Sequence, residues 1–226
     1  MKKILFVLFF TSCSVLILLA QEENNEKERM KMSGQLILMT TTNSNLTGGY
    51  FHYMPAVRGL VTASKGGFSF TAGRNSDLVE PKSAANVSLL IPAYTKSFGK
   101  FATTLSTEVY IFDQFTNMDV IAPSITLARK GALNVDVFVA YGWAFQGVGG
   151  NDMFTQRLTV STDYAGFTFK LIGWNVDYGT HRNAAAFEVS TKLSEKIRLF
   201  VSGNINHVHD DKKTHKFGLV RLAYTF

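Results

Sequence analysis

Three histidines and two aspartates, His207, His209, Asp210, Asp211 and His215, crowd into one short stretch near the C-terminus. Imidazole nitrogens and carboxylates at this spacing are the ligands of a zinc site, or the acid and base of a hydrolytic centre at the mouth of a larger fold. Lysines interrupt them, so a solvated loop fits the same residues. The one cysteine, Cys13, lies in an apolar N-terminal run, so the rest of the chain has neither a disulfide framework nor a thiolate nucleophile. There is no phosphate loop, zinc-protease helix or paired-cysteine motif, and no basic and aromatic platform for nucleic acid. No catalytic residue, metal or other cofactor and no nucleic-acid partner is therefore expected.

A larger set of reactive side chains is dispersed along the chain: Arg58, Glu108, Asp136, Arg157, Asp163, Lys170, Glu188, Lys192, Arg198 and Arg221. What unites them is their place in the pattern. From Gly34 onward the chain alternates with period two, with Gly, Asn, Asp and Lys at the breaks, the signature of strands and hairpins. In Ala132 to Phe145 one face is Leu133, Val135, Val137, Val139, Tyr141, Trp143 and Phe145, and the other is small or polar apart from Phe138. Each of the ten charges falls on the second kind of face.

Twelve such segments occur, near 35–43, 50–63, 67–74, 85–95, 100–112, 119–129, 132–145, 153–164, 167–178, 184–193, 197–207 and 215–226. Most reach the ~9 to 11 residues of a tilted transmembrane strand. Tight connections (64–66, 96–99, 130–131, 165–166, 194–196) alternate with longer ones (43–49, 75–84, 113–118, 146–152, 179–183, 208–214). Short periplasmic turns opposite longer external loops are the arrangement of an outer-membrane barrel. Unpaired backbone groups cost several kcal/mol in hydrocarbon, so such a sheet must close. An even count puts both termini on the periplasmic side, which makes the weak segment 35–43 the first strand and leaves ten or fourteen strands as neighbouring solutions. Aromatics at strand ends fit two interfacial girdles. Tyr53, Trp143, Phe145 and Phe154 are placed externally, and Phe101, Tyr164, Phe167 and Phe226 at the periplasmic side.

Gly218, Val220, Leu222, Tyr224 and Phe226 alternate with Leu219, Arg221, Ala223 and Thr225, so the chain stops inside an amphipathic strand on an aromatic residue. This resembles the closing strand of the bacterial outer-membrane β-barrel class. The resemblance implies a closed antiparallel transmembrane barrel in the outer membrane, all-β, with Gly218, Leu222, Tyr224 and Phe226 as an assembly signal read by the barrel assembly machinery, and with outer-membrane lipid around the wall.

Lys2 and Lys3 followed by an apolar run from Ile4 to Leu19 and then Ala20 have the layout of a secretory signal peptide. The expected organisation is a signal over 1–20, a periplasmic linker over 21–33 and the barrel over 34–226. An uncleaved membrane helix and a lipoprotein acylated at Cys13 are the alternatives. Cleavage after Ala20 removes two of the 23 lysines and arginines and leaves 21 against 17 acidic residues. That mild excess specifies no polyanionic partner. The triplets Asn45-Leu46-Thr47 and Asn86-Val87-Ser88 match a glycosylation acceptor and are assigned no meaning in a bacterial protein.

With the apolar face outward, the ten charges point into the lumen. From Asp136 onward, successive strands carry Asp136, Arg157, Lys170, Glu188, Arg198 and Arg221, the pattern of a belt of opposite charges. It reads either as a salt-bridge network closing the lumen or as a constriction that selects solutes. Twelve strands give a backbone radius of roughly 12 Å. Small residues such as Ala140, Gly142, Ser161 and Ser190 leave a narrow water path, and Phe138, Phe200, Tyr94, Tyr110 and the arginines could fill it. The functional expectation is a passive pore for small solutes with a weak preference for anions. An occluded structural or adhesion barrel comes second and a hydrolytic barrel enzyme using the His207 to His215 stretch third.

Overall fold

The structure is a computed structural model that describes residues 29–43, 50–52, 55–80, 86–113, 119–144, 152–210 and 212–226. The strands are β1 (Lys31–Met39), β2 (Thr42–Asn43), β3 (Tyr50–His52), β4 (Ala56–Lys65), β5 (Phe68–Asp77), β6 (Val87–Phe98), β7 (Phe101–Phe112), β8 (Val120–Arg129), β9 (Asn134–Ala144), β10 (Met153–Tyr164), β11 (Phe167–Asp177), β12 (His181–Lys192), β13 (Ile197–Val208) and β14 (Lys213–Thr225). β2 and β3 form a separate two-stranded sheet, and the other twelve described strands form a closed barrel in the order β1-β14-β13-β12-β11-β10-β9-β8-β7-β6-β5-β4. Every neighbouring pair is antiparallel.

The expected segments and the observed strands coincide to within a few residues, with instructive exceptions. β1 begins at Lys31 rather than Gln35, because Lys31, Met32 and Ser33 register opposite Ser64, Ala63 and Thr62. The last three residues assigned to the linker thus belong to the wall. The expected segment 50–63 is split, since Pro55 separates β3 from β4 and cannot donate to a ladder. Two of the expected long external connections are tight: Tyr178 to Thr180, with Gly179 at φ +61°, and the turn after Val208, with Lys212 at φ +51°. Polar residues such as His181, Asn183 and Thr214 look like loop but are rungs of strands that run past the apolar band.

At the periplasmic end, two-residue turns reverse the chain at Gly66-Gly67, Gly99-Lys100 and Ala165-Gly166, where positive φ at Gly66, Gly99, Ala165 and Gly166 matches the strand twist. Pro92 and Pro123 sit inside wall strands. The ladder lapses at Ile91-Pro92 and Ala122-Pro123 and resumes in the same register, so neither proline creates a bulge.

Closure joins β1 to β14 through Gln35↔Thr225 to Met39↔Arg221, and Gly34 and Phe226 exchange backbone hydrogen bonds of 2.9 and 3.0 Å. The Phe226 ring lies where a Cβ on Gly34 would stand, with ring atoms 2.2 and 2.3 Å from that point. Glycine at 34 is what lets the terminal aromatic seal the seam. The outer face is apolar: Leu38, Val61, Phe70, Leu105, Leu127, Val137, Leu158, Leu171, Phe187 and Val201 are all exposed. At the periplasmic end Phe101, Tyr164, Phe167 and Phe226 are exposed on that face, and at the external end Trp143 and Phe154 are. Trp143 stacks edge-on with Tyr141 at 5.0 Å. Tyr53 and Phe145 of the expected girdle lie outside the described residues, as do Cys13, the signal segment and the Asn45 triplet. Asn86 of the second triplet is buried and accepts from the Asp77 amide at 2.8 Å.

Candidate functional site

Period-two alternation puts all ten expected charges on the inward face, because each shares parity with a buried or inward-packed neighbour. Arg58 follows Ala56, Arg157 lies between Thr155 and Thr159, and Arg221 lies between Leu219 and Ala223. The charges do not form one continuous belt, however. Moving from strand to strand along a tilted wall changes height, so residues at similar distances from their turns meet only where the register allows.

The first group centres on Glu188, whose side chain is 6% exposed. Lys170 stands directly opposite it on β11, with Nζ 3.3 Å from Oε1, and Arg221 on β14 pairs with Oε2 through Nη2. The Arg221 guanidinium also lies 4.8 Å from the Phe200 ring centroid, which faces it in the ladder. Its Nε has no hydrogen-bond partner among the described residues.

The second group centres on Glu108, which accepts a hydrogen bond from the Tyr110 hydroxyl. Arg58 and Arg157 both act on this carboxylate at coulombic range from β4 and β10. Arg58 also donates to Asn75 Oδ1 at 3.4 Å, and Arg157 lies 4.5 Å over the Phe138 ring and within reach of Asp136. Arg221 repels Arg58 at coulombic range, so the two groups are near enough to sense each other's charge.

The remaining charges are set apart. Lys192 and Arg198 oppose one another near the periplasmic turn of β12 and β13. Asp163 accepts from Thr168 at 2.5 Å at the periplasmic end of β10. Arg198 is therefore not part of the Glu188 group, contrary to the expected belt.

Beyond the charges, the inward surface changes character along its length. Toward the periplasmic side, hydroxyls bridge facing strands: Thr62 to Thr71 at 2.8 Å, Thr95 to Thr104 at 2.8 Å and Ser106 to Ser124 at 2.7 Å. Toward the external side of β8 to β12, Val120, Ala122, Phe138, Ala140, Met153, Trp174, Val176, Ala184 and Ala186 form one buried apolar cluster, with Tyr110, Ile172 and Tyr178 against it. Ala140 and Gly142, expected to leave space, are buried here. A Cβ on Gly142 would stand 3.0 Å from Met153 Cε and 3.1 Å from Val120 Cγ1. Tyr94, expected inside, is on the outer face, where it packs on Phe68 at 4.6 Å. Nothing in the sequence singles out Trp174, because both faces of β11 carry apolar side chains and alternation there is silent.

The histidine stretch does not converge on a point. His207, next to the last residue of β13, lies on the outer face with Nδ1 2.8 Å from Thr214 Oγ1, while His215 has inward parity on β14. His209 packs on His181 and on His207, both at 4.8 Å, and its Nε2 is 2.8 Å from Asn183 Nδ2. Among the described residues no group of three His, Asp or Glu side chains is placed to hold a metal ion. Asp211 lies outside the described residues.

No protein-family model and no curated protein matches the sequence. Solved structures do. The fold is similar to that of the KdgM porin, with a TM-score of 0.62 at 11% identity over 86% of this chain and 99% of the porin. It is similar to the NanC porin, with 0.58 at 11% identity over 87% and 99%, and to an outer membrane channel from Pseudomonas putida F1, with 0.53 at 8% identity over 90% and 98%. At these identities the likeness is one of fold, and it agrees with a twelve-stranded barrel of the bacterial outer-membrane class.

Proposed function

We propose that this barrel is a passive outer-membrane pore for small solutes, with a weak preference for anions and no catalytic step of its own. The observation that carries the reading is the pair of carboxylates Glu188 and Glu108, the first ion-paired with Lys170 and Arg221 and the second within coulombic range of Arg58 and Arg157. Four cations against these two carboxylates and Asp136 leave a positive surplus in the narrowed part of the lumen. Low-dielectric walls focus such a field on a passing ion. Lys192 and Arg198 extend the surplus toward the periplasmic mouth. Screening over a Debye length of ~10 Å at 0.1 M salt keeps the preference weak.

Reversal potentials across a planar bilayer under a KCl gradient test the proposal. Anion preference is expected in dilute salt and should fade as salt rises. Lys192→Gln with Arg198→Gln should reduce it without disturbing the ion pairs of Glu188. A cation-selective wild type would overturn it.

The buried cluster around Phe138 and Trp174 favours a second reading, a barrel occluded on its external side. In that case the wild type gives no conductance in repeated reconstitutions. The assembly role of Gly218, Leu222, Tyr224 and Phe226 is part of the same proposal. Gly218, Leu222 and Tyr224 have outward parity on β14, Phe226 follows its last residue, and Leu222, Tyr224 and Phe226 are exposed. Tyr224→Ala with Phe226→Ala should slow membrane insertion more than it lowers the stability of the inserted barrel.

A further inference from the structure

Outward parity on β11 to β14 produces a surface unlike the rest of the wall. Gly173 faces Ala185, Ala185 faces Ile205, Phe187 faces Gly203, and Gly203 faces Gly218. The small residues sink the surface between larger neighbours, and the resulting groove has a volume of about 640 Å³, lined by Leu171, Phe187, Gly203, Ile205, Gly218 and Lys216 among others. Added Cβ atoms on Gly173, Gly203 or Gly218 would touch nothing within 4 Å, so the depression is open to the bilayer.

Lys216 stands where the groove meets the edge of the apolar band, one outward position from Thr214. It is exposed on the outer face, opposite Ile205, and has no ion pair among the described residues. A lysine ammonium on a lipid-facing strand is costly unless it reaches the interface or meets an anion. Its outward neighbours on β13 and β14 are Gly203, Ile205, His207, Thr214 and Gly218, none of them acidic. Asp177 is farther off, opposite His181, and Asp210 lies in the turn. Beside Lys216, the rung of Asn175, Asn183, His207 and Thr214 is polar, and His181 and His209 stand beyond it. In the tautomers in which the Thr214 hydroxyl donates to Nδ1 of His207 and the Asn183 amide to Nε2 of His209, the other ring nitrogens are donors, and neither they nor the lysine have an acceptor among the described residues. An apolar trough leading to a cation and a row of donors has the layout of an acyl chain ending in an anionic headgroup.

We propose that the outer face of β11 to β14 is a binding site for one phosphorylated membrane lipid, its acyl chain in the groove and its phosphate at Lys216 and His207. A second copy of this chain fits the face less well. A two-fold contact through the groove would bring Lys216 and the histidines against their own counterparts. The proposal is independent of whether the lumen conducts.

The barrel, purified in a zwitterionic detergent at pH 7.5, is mixed with phosphatidic acid or with phosphatidylcholine of the same chains, and retained lipid is counted by native mass spectrometry. One phosphatidic acid per barrel is expected, retained at least about tenfold over phosphatidylcholine. Lys216→Gln should remove that preference, whereas Lys192→Gln in the lumen should keep it. Gly203→Leu should lower retention of both lipids by filling the trough, with heat-modifiable gel mobility confirming the fold of each variant. Equal retention of the two lipids by the wild type, or an unchanged preference in Lys216→Gln, overturns the proposal. A dimer that Gly203→Leu dissociates would assign the groove to a second copy and overturn it as well.

Discussion

The periplasmic halves of β4 to β8 and the external halves of β8 to β12 face the same lumen from strands built on the same alternation, yet they are filled in opposite ways. The first presents the hydroxyl pairs Thr62-Thr71, Thr95-Thr104 and Ser106-Ser124, which bridge neighbouring strands and project little into the space. The second packs Phe138, 3% exposed, and Trp174, 6% exposed, against alanines and valines, as a soluble core would. The two carboxylate groups of Glu108 and Glu188 lie where these surfaces meet. Hydroxyl rungs keep a wall thin and wettable, whereas aromatic packing exchanges permeability for burial. On the proposed pore reading, the second region would set the narrowest part of the solute path and the charges beneath it the selectivity.

Truncating the packed region should give the largest effect. Trp174→Ala or Phe138→Ala removes a buried aromatic and should cost about 3 to 5 kcal/mol in urea unfolding from lipid. Each should also raise single-channel conductance, and Phe138→Ala further removes the ring under Arg157. Loss of stability without any change in conductance would show that the cluster does not limit the path.

At the boundary, Glu188→Ala leaves Lys170 and Arg221 facing each other with Arg58 nearby. Removing one partner of a buried ionic group costs about 3 kcal/mol, and the partial exposure of Lys170 places this site at the low end. The same variant should increase anion preference. A fall in anion preference would mean that Glu188 does not face the conducting path.

Much of this comparison was legible before the structure, and the part that was not has a common cause. Alternation identifies faces, so the inward parity of Arg58, Glu108, Glu188 and Arg221 follows from sequence alone. It carries no information on height, which depends on shear, and so the pattern aligns Arg198 with Glu188 although its rung partner is Lys192. Small residues are equally ambiguous. Ala140 reads as space beside Ser161, yet it is 1% exposed because Phe138 and Trp174 close over it. Polar strand ends imitate loops for a third reason: above the apolar band the outer face meets water, and His181, Asn183 and Thr214 extend the ladder there. The seam at Gly34 and Phe226 was half visible, since the terminal aromatic signals closure but its glycine partner on β1 does not.

The hydroxyl region should respond least among lumen substitutions. Thr104→Val deletes one neutral hydrogen bond at an exposed rung and keeps the β-branched shape, so under about 1 kcal/mol is expected. Conductance should stay near the wild-type value. A conductance drop comparable to the rise expected for Trp174→Ala would place the constriction on the periplasmic side and reverse the roles of the two regions.

A pair outside the lumen calibrates what these charges are worth when water is close. Arg74 at the external end of β5 pairs through both Nη atoms with Asp113, which follows β7, and also donates to Ser88 at 3.2 Å. The hydrogen bond from Arg74, and then its positive charge, holds the Asp113 carboxyl below the usual carboxylate value. Because the folded value is depressed, the stabilisation is complete above the unfolded value of ~3.9 and is lost as pH falls through the folded one. The two side chains are 49% and 32% exposed, so solvent limits the contribution to under about 1 kcal/mol. Urea midpoints of the wild type and Asp113→Asn should thus differ slightly at pH 7, and the gap should close in acid below the folded value. A gap that persists there would show that the substitution acts through something other than the ion pair. A gap at pH 7 as large as that for Glu188→Ala would mean that the external rim is far less hydrated than its exposure implies.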